Sequence, residues 1–412
     1  MVSVVKFGGT SIKNVGRIQH VADVISKIND KCLVVASAMG DTTDHLYGLA
    51  KQCAIHPDKR ELDLLLATGE QVSIALLALT LRERGINARS FTGQQIGIIT
   101  DNNHSCARIL DICPDKINEA FAEYDVIIVA GFQGISFEGQ ITTLGRGGSD
   151  TTAVALAAAC GAAHCDIYTD VDGIFTCDPN RFTEAQLIPE ISYSEVLELA
   201  RSGAQIIHPR AVETAQDHGV QVRVRNTFNP ENAGTLIKEE TNVERICKAT
   251  SVAVDGCQAH ICFTGVQESK LFLSGLSEAF SRADILIDVV SQGTISGEGS
   301  KNYDVSIKYS DHDSLARALA QIEKEFSIAG LVVDKEVTRV SVVGAGLSAD
   351  PAAIARLVSV LEDNEISPRL LSFTDLRISC LVLTASAKRA VESLHAEFKL
   401  GKTTGRKLAL TA

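Results

Sequence analysis

The chain has 412 residues, 45% of them hydrophobic and 22% charged, with a formal charge of −12. That length exceeds one ordinary core and predicts two or three domains, and the acidic balance argues against nucleic acid or an anionic membrane as the main partner, though not against a local cationic pocket. No apolar run is expected to reach the ~18 to 20 residues of a membrane span, and no h-region precedes Lys6; the eleven cysteines, without C-x-x-C pairs, read as thiols of a reducing compartment rather than a zinc site, so a cytoplasmic protein is expected.

The first element is V-V-K-F-G-G-T-S, residues 4–11. Val4, Val5 and Phe7 suit a buried strand, Gly8-Gly9 permits a sharp turn, and Thr10 or Ser11 can cap the helix marked by Ile12, Val15, Ile18 and Val21. The spacing is neither that of a P-loop nor that of a dinucleotide fold. Lys6 is then either a strand-end lysine reaching for water or a cation aimed at an anion. Further strands are expected at Cys32–Ser37, Ala88–Phe91, Val126–Ala130, Ile167–Thr169 and Val222–Val224, alternating with amphipathic helices. This predicts a largely parallel sheet covered on both faces, with ligands held where loops leave the strand ends.

Between these strands lie four polar segments. S-A-M-G-D-T-T-D (37–44) offers hydroxyls at Ser37, Thr42 and Thr43. In L-A-T-G-E-Q-V-S (66–73), Gly69 interrupts a helical pattern and Glu70 lands at the restart, where it serves either a substrate ammonium or the helix dipole. I-T-T-L-G-R-G-G-S-D-T-T (141–152) brings Gly147-Gly148 for close backbone approach, Ser149-Asp150 to open a helix ended by Gly161, and Arg146 as a planar fork for a carboxylate. Two glycine-rich helix starts in one α/β domain suit a phosphate donor and an anionic acceptor, with Lys6 beside the transferring phosphoryl group. In Y-T-D-V-D-G-I-F-T-C-D-P-N-R (168–181), Thr169-Asp170 ends a strand and turn formers surround Phe175, which suits either a nucleotide or a turn-rich connection with a core aromatic. Further on, Ser192 and Glu195 make a capping box, and Pro209 and Gly219 bracket a helix.

A domain boundary is expected around 226–250, where N-T-F-N-P-E-N-A-G-T gives way to K-E-E-T-N-V-E-R. Beyond it, A-H-I-C-F-T-G-V, a helix and I-L-I-D-V-V-S-Q are echoed by T-R-V-S-V-V-G-A-G, a helix and L-R-I-S-C-L-V-L. The region reads as two related α+β modules.

Taken together, K-F-G-G-T-S, S-A-M-G-D-T-T-D, T-G-E, S-F-T-G, T-T-L-G-R-G-G-S-D-T-T-A-V-A-L and Y-T-D-V-D-G resemble, in order, the motifs of the aspartate kinases of the amino-acid kinase superfamily. The C-terminal repeats resemble that family's tandem ACT domains. The resemblance implies an amino-acid kinase domain over 1–240, followed by ferredoxin-like ACT modules over 250–330 and 335–405, consecutive or intertwined. It implies MgATP-dependent phosphorylation of the β-carboxylate of L-aspartate to 4-phospho-L-aspartate, which enters lysine, threonine and methionine synthesis. MgATP would be a co-substrate, with no tightly bound prosthetic group and no metal held directly by the protein.

By position in those motifs, the resemblance makes Lys6, Asp150 and Arg146 catalytic, Asp150 orienting cations or Mg²⁺. Thr43, Glu70, Arg146, Gly147, Gly148 and Ser149 fall at aspartate-binding positions. Lys6, Phe7, Gly8, Gly9, Thr169, Asp170, Phe175, Asp178, Asn180 and Arg181 fall at ATP-binding ones. The chain departs from the family at Phe175 (tyrosine in some relatives), Asn180 (arginine in many) and Gln205 (lysine in several). It also has V-Q-E-S-K-L where relatives often show D-x-P-G, and S-F-T-D for S-T-S-E; Gln267, Ser372 and Asp375 are the candidate effector residues for lysine, threonine or both. A homodimer or higher homo-oligomer through the ACT modules is expected, with no nucleic-acid or membrane partner. The competing readings are another kinase that makes an acyl phosphate, on glutamate or acetylglutamate, and a catalytically silent ACT-based sensor.

Overall fold

In the computed structural model, which describes residues 2–204, 206–239, 248–267, 271–294, 300–309, 311–347 and 350–401, the opening strand Val2–Phe7 lies inside an eight-stranded sheet. The order is Glu190–Ser192, Thr235–Lys238, Gln221–Asn226, His164–Thr169, Val2–Phe7, Lys31–Ala36, Val126–Ala130, Ala88–Phe91. Every pairing is parallel except that of Gln221–Asn226 with Thr235–Lys238. The expected strands are all present, and strands buried on both faces explain their near-continuous Val and Ile runs.

On one face, Phe7, Val34 and Ile128 pack with Ile18 and Val21 of the helix Val15–Ile25 and with Ile74, Leu77 and Leu81 of the helix Thr68–Glu83. Each large side chain fully buried there contributes roughly 1.5–3 kcal/mol. The helix Gly148–Ala159 packs against the same strands and is buried nearly all round, which its run of Ala, Val and Leu permits. A smaller sheet, not foreseen from the sequence, joins Ile109–Ile112, Ile98–Thr100, Gln133–Ser136 and Ile141–Thr143.

The expected helix ends are present. Ser192 and Glu195 exchange hydrogen bonds, Pro209 begins the helix Pro209–His218, and Gly219 ends it at φ +66°. One expectation needs correction. The near-continuous helical run Lys59–Glu83 is long and apolar enough to cross a membrane by length and composition, yet half of its most apolar window is buried in the protein and Glu70 sits inside it.

The chain divides into two compact units: 1–175 with 187–200 and 205–243, and 176–186 with 201–204 and 244–412. The second unit is built on one six-stranded sheet, ordered Leu286–Thr294, Ser300–Lys308, Lys248–Gln267, Gly330–Ala345, Arg377–Leu383, Leu370–Thr374. Two long strands, Lys248–Gln267 and Gly330–Ala345, pair antiparallel through three register shifts and run through both halves of the sheet. Each half has its own core, one around Phe263, Phe272, Phe280 and Leu315, the other around Val340, Leu357, Ile378 and Leu394. The two α+β repeats therefore share their central strands instead of following one another as separate sheets.

Candidate active site

The first unit carries a cleft of about 620 Å³ where loops leave the C-terminal ends of parallel strands. Its lining includes Lys6, Gly9, Thr43, Glu70, Arg146, Gly147, Gly148, Ser149 and Asp150, so the residues expected for catalysis and aspartate binding meet in one place, with Lys6 and Gly9 the expected ATP-binding residues among them.

Strand alternation sets the first of them. Lys6 and Phe7 point to opposite faces. Lys6 turns toward the helix Gly148–Ala159, where its Nζ lies 2.6 Å from Oδ1 of Asp150, both side chains being largely buried. Phe7 turns the other way into the core and stacks on Tyr168, ring centroids 4.8 Å apart. This differs from the expectation that Phe7 meets ATP: its fully buried ring is a wall of the core, and only its backbone borders the turn. Gly8 N–H donates to the carbonyl of Tyr168, and Gly40 N–H to that of Gly9. A Cβ on Gly9 would sit 2.9 Å from the carbonyl oxygen of Ala38, so only glycine lets these two loops meet.

The second glycine turn faces the first. Gly145 and Gly147 take φ of +76° and +66°, and the helix begins at Gly148 with Asp150 in its first turn. A side chain at Gly147 would collide with the ring of His208 at 2.1 Å. Burial holds His208 below the usual histidine range. The helix N-terminus borders the cleft, where the N–H groups of Gly148 and Asp150 donate to the carbonyls of Gly145 and Gly147; Ser149 is buried there, and Arg146 is exposed at the lip.

Glu70 closes the third side. Its Oε1 accepts a hydrogen bond from Ala38 N–H at 3.0 Å, while Oε2 is buried with no hydrogen-bond partner among the described residues. Burial raises the carboxyl to about 8. A buried carboxylate oxygen without a donor is costly unless a ligand supplies one.

Two residues that hold the Arg146 loop were not anticipated. Asp63 is fully buried and accepts from Thr143 N–H (3.1 Å), Thr143 Oγ1 (2.6 Å) and Ser105 N–H (3.0 Å), and it pairs with His104. Arg210 donates to the carbonyls of Leu144 and Ala107, the latter at 2.9 Å. Their signal was present in the sequence: a carboxylate on the apolar face of L-D-L-L-L, and an arginine directly after the helix-starting Pro209.

The remaining expected residues are placed elsewhere. Thr169 donates to Asp170 Oδ1 just after the strand His164–Thr169, and neither lines the cleft. Phe175 bridges to Leu187 where the chain leaves and re-enters the first unit. Asp178, Asn180 and Arg181 are exposed on the segment 176–186, whose Cys177 and Phe182 belong to the second unit's core. Gln205 lies outside the described residues. In the second unit Gln267 ends the strand Lys248–Gln267, whereas Ser372 and Asp375 lie on and just after Leu370–Thr374, three strands away in the sheet. The structure does not bring these three together within one chain.

Residues 1–226 match the amino acid kinase family and residues 340–398 the ACT domain. The chain is 42% identical over 405 residues to the aspartokinase of Geobacillus stearothermophilus, covering 97% of this chain and 98% of that protein. It is 40% identical over 400 residues to aspartokinase 2 of Bacillus subtilis, covering 96% and 97%. Among solved structures, E. coli aspartokinase III in complex with aspartate and ADP has a TM-score of 0.76 at 24% identity, covering 96% of this chain and 99% of that one. The same E. coli protein has been solved with lysine and aspartate. With identities of this size over nearly the full length of its relatives, and with Lys6, Glu70 and Asp150 gathered in one cleft, the chain belongs to the aspartokinase family and is a kinase.

Proposed function

We propose that the cleft transfers the γ-phosphoryl group of MgATP to the β-carboxylate of L-aspartate, giving 4-phospho-L-aspartate and ADP. The observation that carries this reading is the Lys6–Asp150 pair, which joins the two glycine turns beside the unpartnered oxygen of Glu70. Aspartate has one group for each feature. Its ammonium meets Glu70, a carboxylate meets the Arg146 fork and the helix N-terminus at Ser149, and the β-carboxylate is left facing Lys6.

In the reaction a β-carboxylate oxygen forms a bond to the γ-phosphorus as the bond to the ADP oxygen breaks. Little covalent work falls to the protein; positioning and charge stabilisation supply the rate. Lys6 places a cation on the transferring oxygens, and Asp150 fixes that ammonium in place. Mg²⁺ belongs to the ATP phosphates and supplies charge neutralisation there. Gly8, Gly9, Thr169 and Asp170 are proposed for the phosphate and ribose end, with Phe175, Asp178, Asn180 and Arg181 on the loop beyond.

Residues 250–330 and 335–405 are proposed as the ACT modules, feedback-controlled by lysine, threonine or both through a homodimer or higher oligomer in the cytoplasm, with Gln267, Ser372 and Asp375 as effector residues. A relative of the same fold holds lysine together with aspartate, which supports an amino-acid effector. Trapping the acyl phosphate with hydroxylamine tests the substrate. Hydroxamate is expected with aspartate and not with glutamate or acetylglutamate; the reverse preference, or none from any acceptor, would overturn the reading.

A further inference from the structure

In the strand Lys248–Gln267, Ala259, Ile261 and Phe263 enter a core shared with the helices Phe272–Arg282 and His312–Glu325. Alternation sends His260 and Cys262 to the opposite face of the sheet. The neighbouring strand Ser300–Lys308 runs antiparallel and sets Asp304 directly opposite Cys262.

Three donor atoms meet there. His260 Nε2 lies 3.3 Å from Asp304 Oδ1, Cys262 Sγ lies 3.0 Å from the same oxygen, and Sγ and Nε2 are 3.6 Å apart. His260 is buried, while Cys262 and Asp304 are half-buried. A triangle with these edges has its centre about 1.9 Å from each corner, so an ion about 0.6 to 1.3 Å out of that plane lies ~2.0–2.3 Å from all three donor atoms, the range for zinc with nitrogen, oxygen and sulfur. The three atoms are spaced as one face of a coordination tetrahedron, and because Sγ also lies 3.9 Å from Nδ1 the imidazole turns on binding to aim its Nε2 lone pair at the ion.

We propose that His260, Cys262 and Asp304 form a binding site for one divalent transition-metal ion of the zinc class, with the fourth position open to water. Imidazole and thiolate beside a single carboxylate select such an ion over magnesium or calcium, which take oxygen donors. Binding forms the metal–sulfur bond and releases the thiol proton to solvent; thiolate and carboxylate together balance the ion's two charges. The ion ties together the strands Lys248–Gln267 and Ser300–Lys308. None of the three residues lines the phosphoryl-transfer cleft, so the proposal stands apart from the kinase chemistry. Cysteine spacing conceals the site, because the third donor comes from a neighbouring strand 42 positions further on.

The test uses the full-length protein, stripped with a chelator and titrated with Co²⁺, then with Zn²⁺. One Co²⁺ per chain should bind with a thiolate-to-cobalt charge-transfer band, which Zn²⁺ removes. Cys262→Ser should lose the band, whereas Cys257→Ser, at an exposed cysteine five residues away, should keep it. Asp304→Asn keeps the thiol and should weaken Co²⁺ binding at least ~10-fold, which preserves the test if the serine variant does not fold. The absence of any charge-transfer band in the unaltered protein would overturn the proposal and leave the cluster as an ion pair with a thiol hydrogen bond. A band that persists in Cys262→Ser, or that vanishes in Cys257→Ser, would overturn it as well.

Discussion

Replacing Glu70 by glutamine separates its effect on folding from its part in binding. Burial raises this carboxyl from 4.5 to about 8, so between those values the folded chain holds a proton that the unfolded chain has released. Stability contributed by this group is therefore greatest below the unfolded value and falls as pH rises toward the folded one. At 1.36 kcal/mol per unit, the ionisable group costs about 3 kcal/mol at pH 7 relative to a side chain that never ionises, and more by pH 8. Glutamine keeps an oxygen for the Ala38 N–H and carries no such cost. Denaturant unfolding across pH 5–9, without ligands, should show Glu70→Gln more stable than the unaltered protein by an amount that grows with pH. Binding should move the other way. The aspartate ammonium needs the carboxylate, so the unaltered enzyme's aspartate KM should fall about tenfold per pH unit up to about 8 and then level. The variant's KM should be raised and far flatter. A flat KM between pH 6 and 8 in the unaltered enzyme, or equal stability of the two proteins at pH 8, would refute the argument.

Lys6→Ala should lose at least ~10²-fold in turnover while remaining folded, the scale of removing one donor that acts in the transition state; near-normal turnover by steady-state assay would refute its role. Arg146→Lys should mainly raise the aspartate KM, because a point charge cannot reproduce a planar fork; an unchanged KM speaks against carboxylate contact. Asp63→Ala strips a fully buried acceptor from Thr143, Ser105 and His104, and should lower the melting midpoint and raise the aspartate KM together, whereas Asp63→Asn, which keeps one acceptor, should recover part of both. Saturating lysine with threonine should depress turnover; full activity in their presence would remove the feedback proposal.

Much of the site was legible because glycine, lysine and acidic residues sit where strands end. Lys6 and Asp150 are far apart in sequence and meet because the helix Gly148–Ala159 packs on the face of Val2–Phe7 that Lys6 occupies. That parallel order follows from the apolar strands. Phe7 shows the worth of the local pattern: its place in an apolar strand predicted burial, and its ring is in the core, whereas position in the family motif put it among the ATP-binding residues. Asp63 and Arg210 escaped notice because they act through the backbone of another segment, which residue type alone does not reveal. The second unit's shared long strands depend on register shifts near Ala249, Asp255 and Gln258, and the Asp255-Gly256 pair at one of them suits a hairpin turn as well as an irregularity within a continuous strand.

The most direct measurement of the phosphoryl transfer uses L-aspartate carrying ¹⁸O in both β-carboxylate oxygens, with unlabelled ATP. If the β-carboxylate attacks the γ-phosphorus, hydroxylamine cleavage at the carbonyl carbon releases phosphate bearing one ¹⁸O, seen by mass or by phosphorus NMR. Phosphate free of label, formed at the rate of ADP release, would contradict the account.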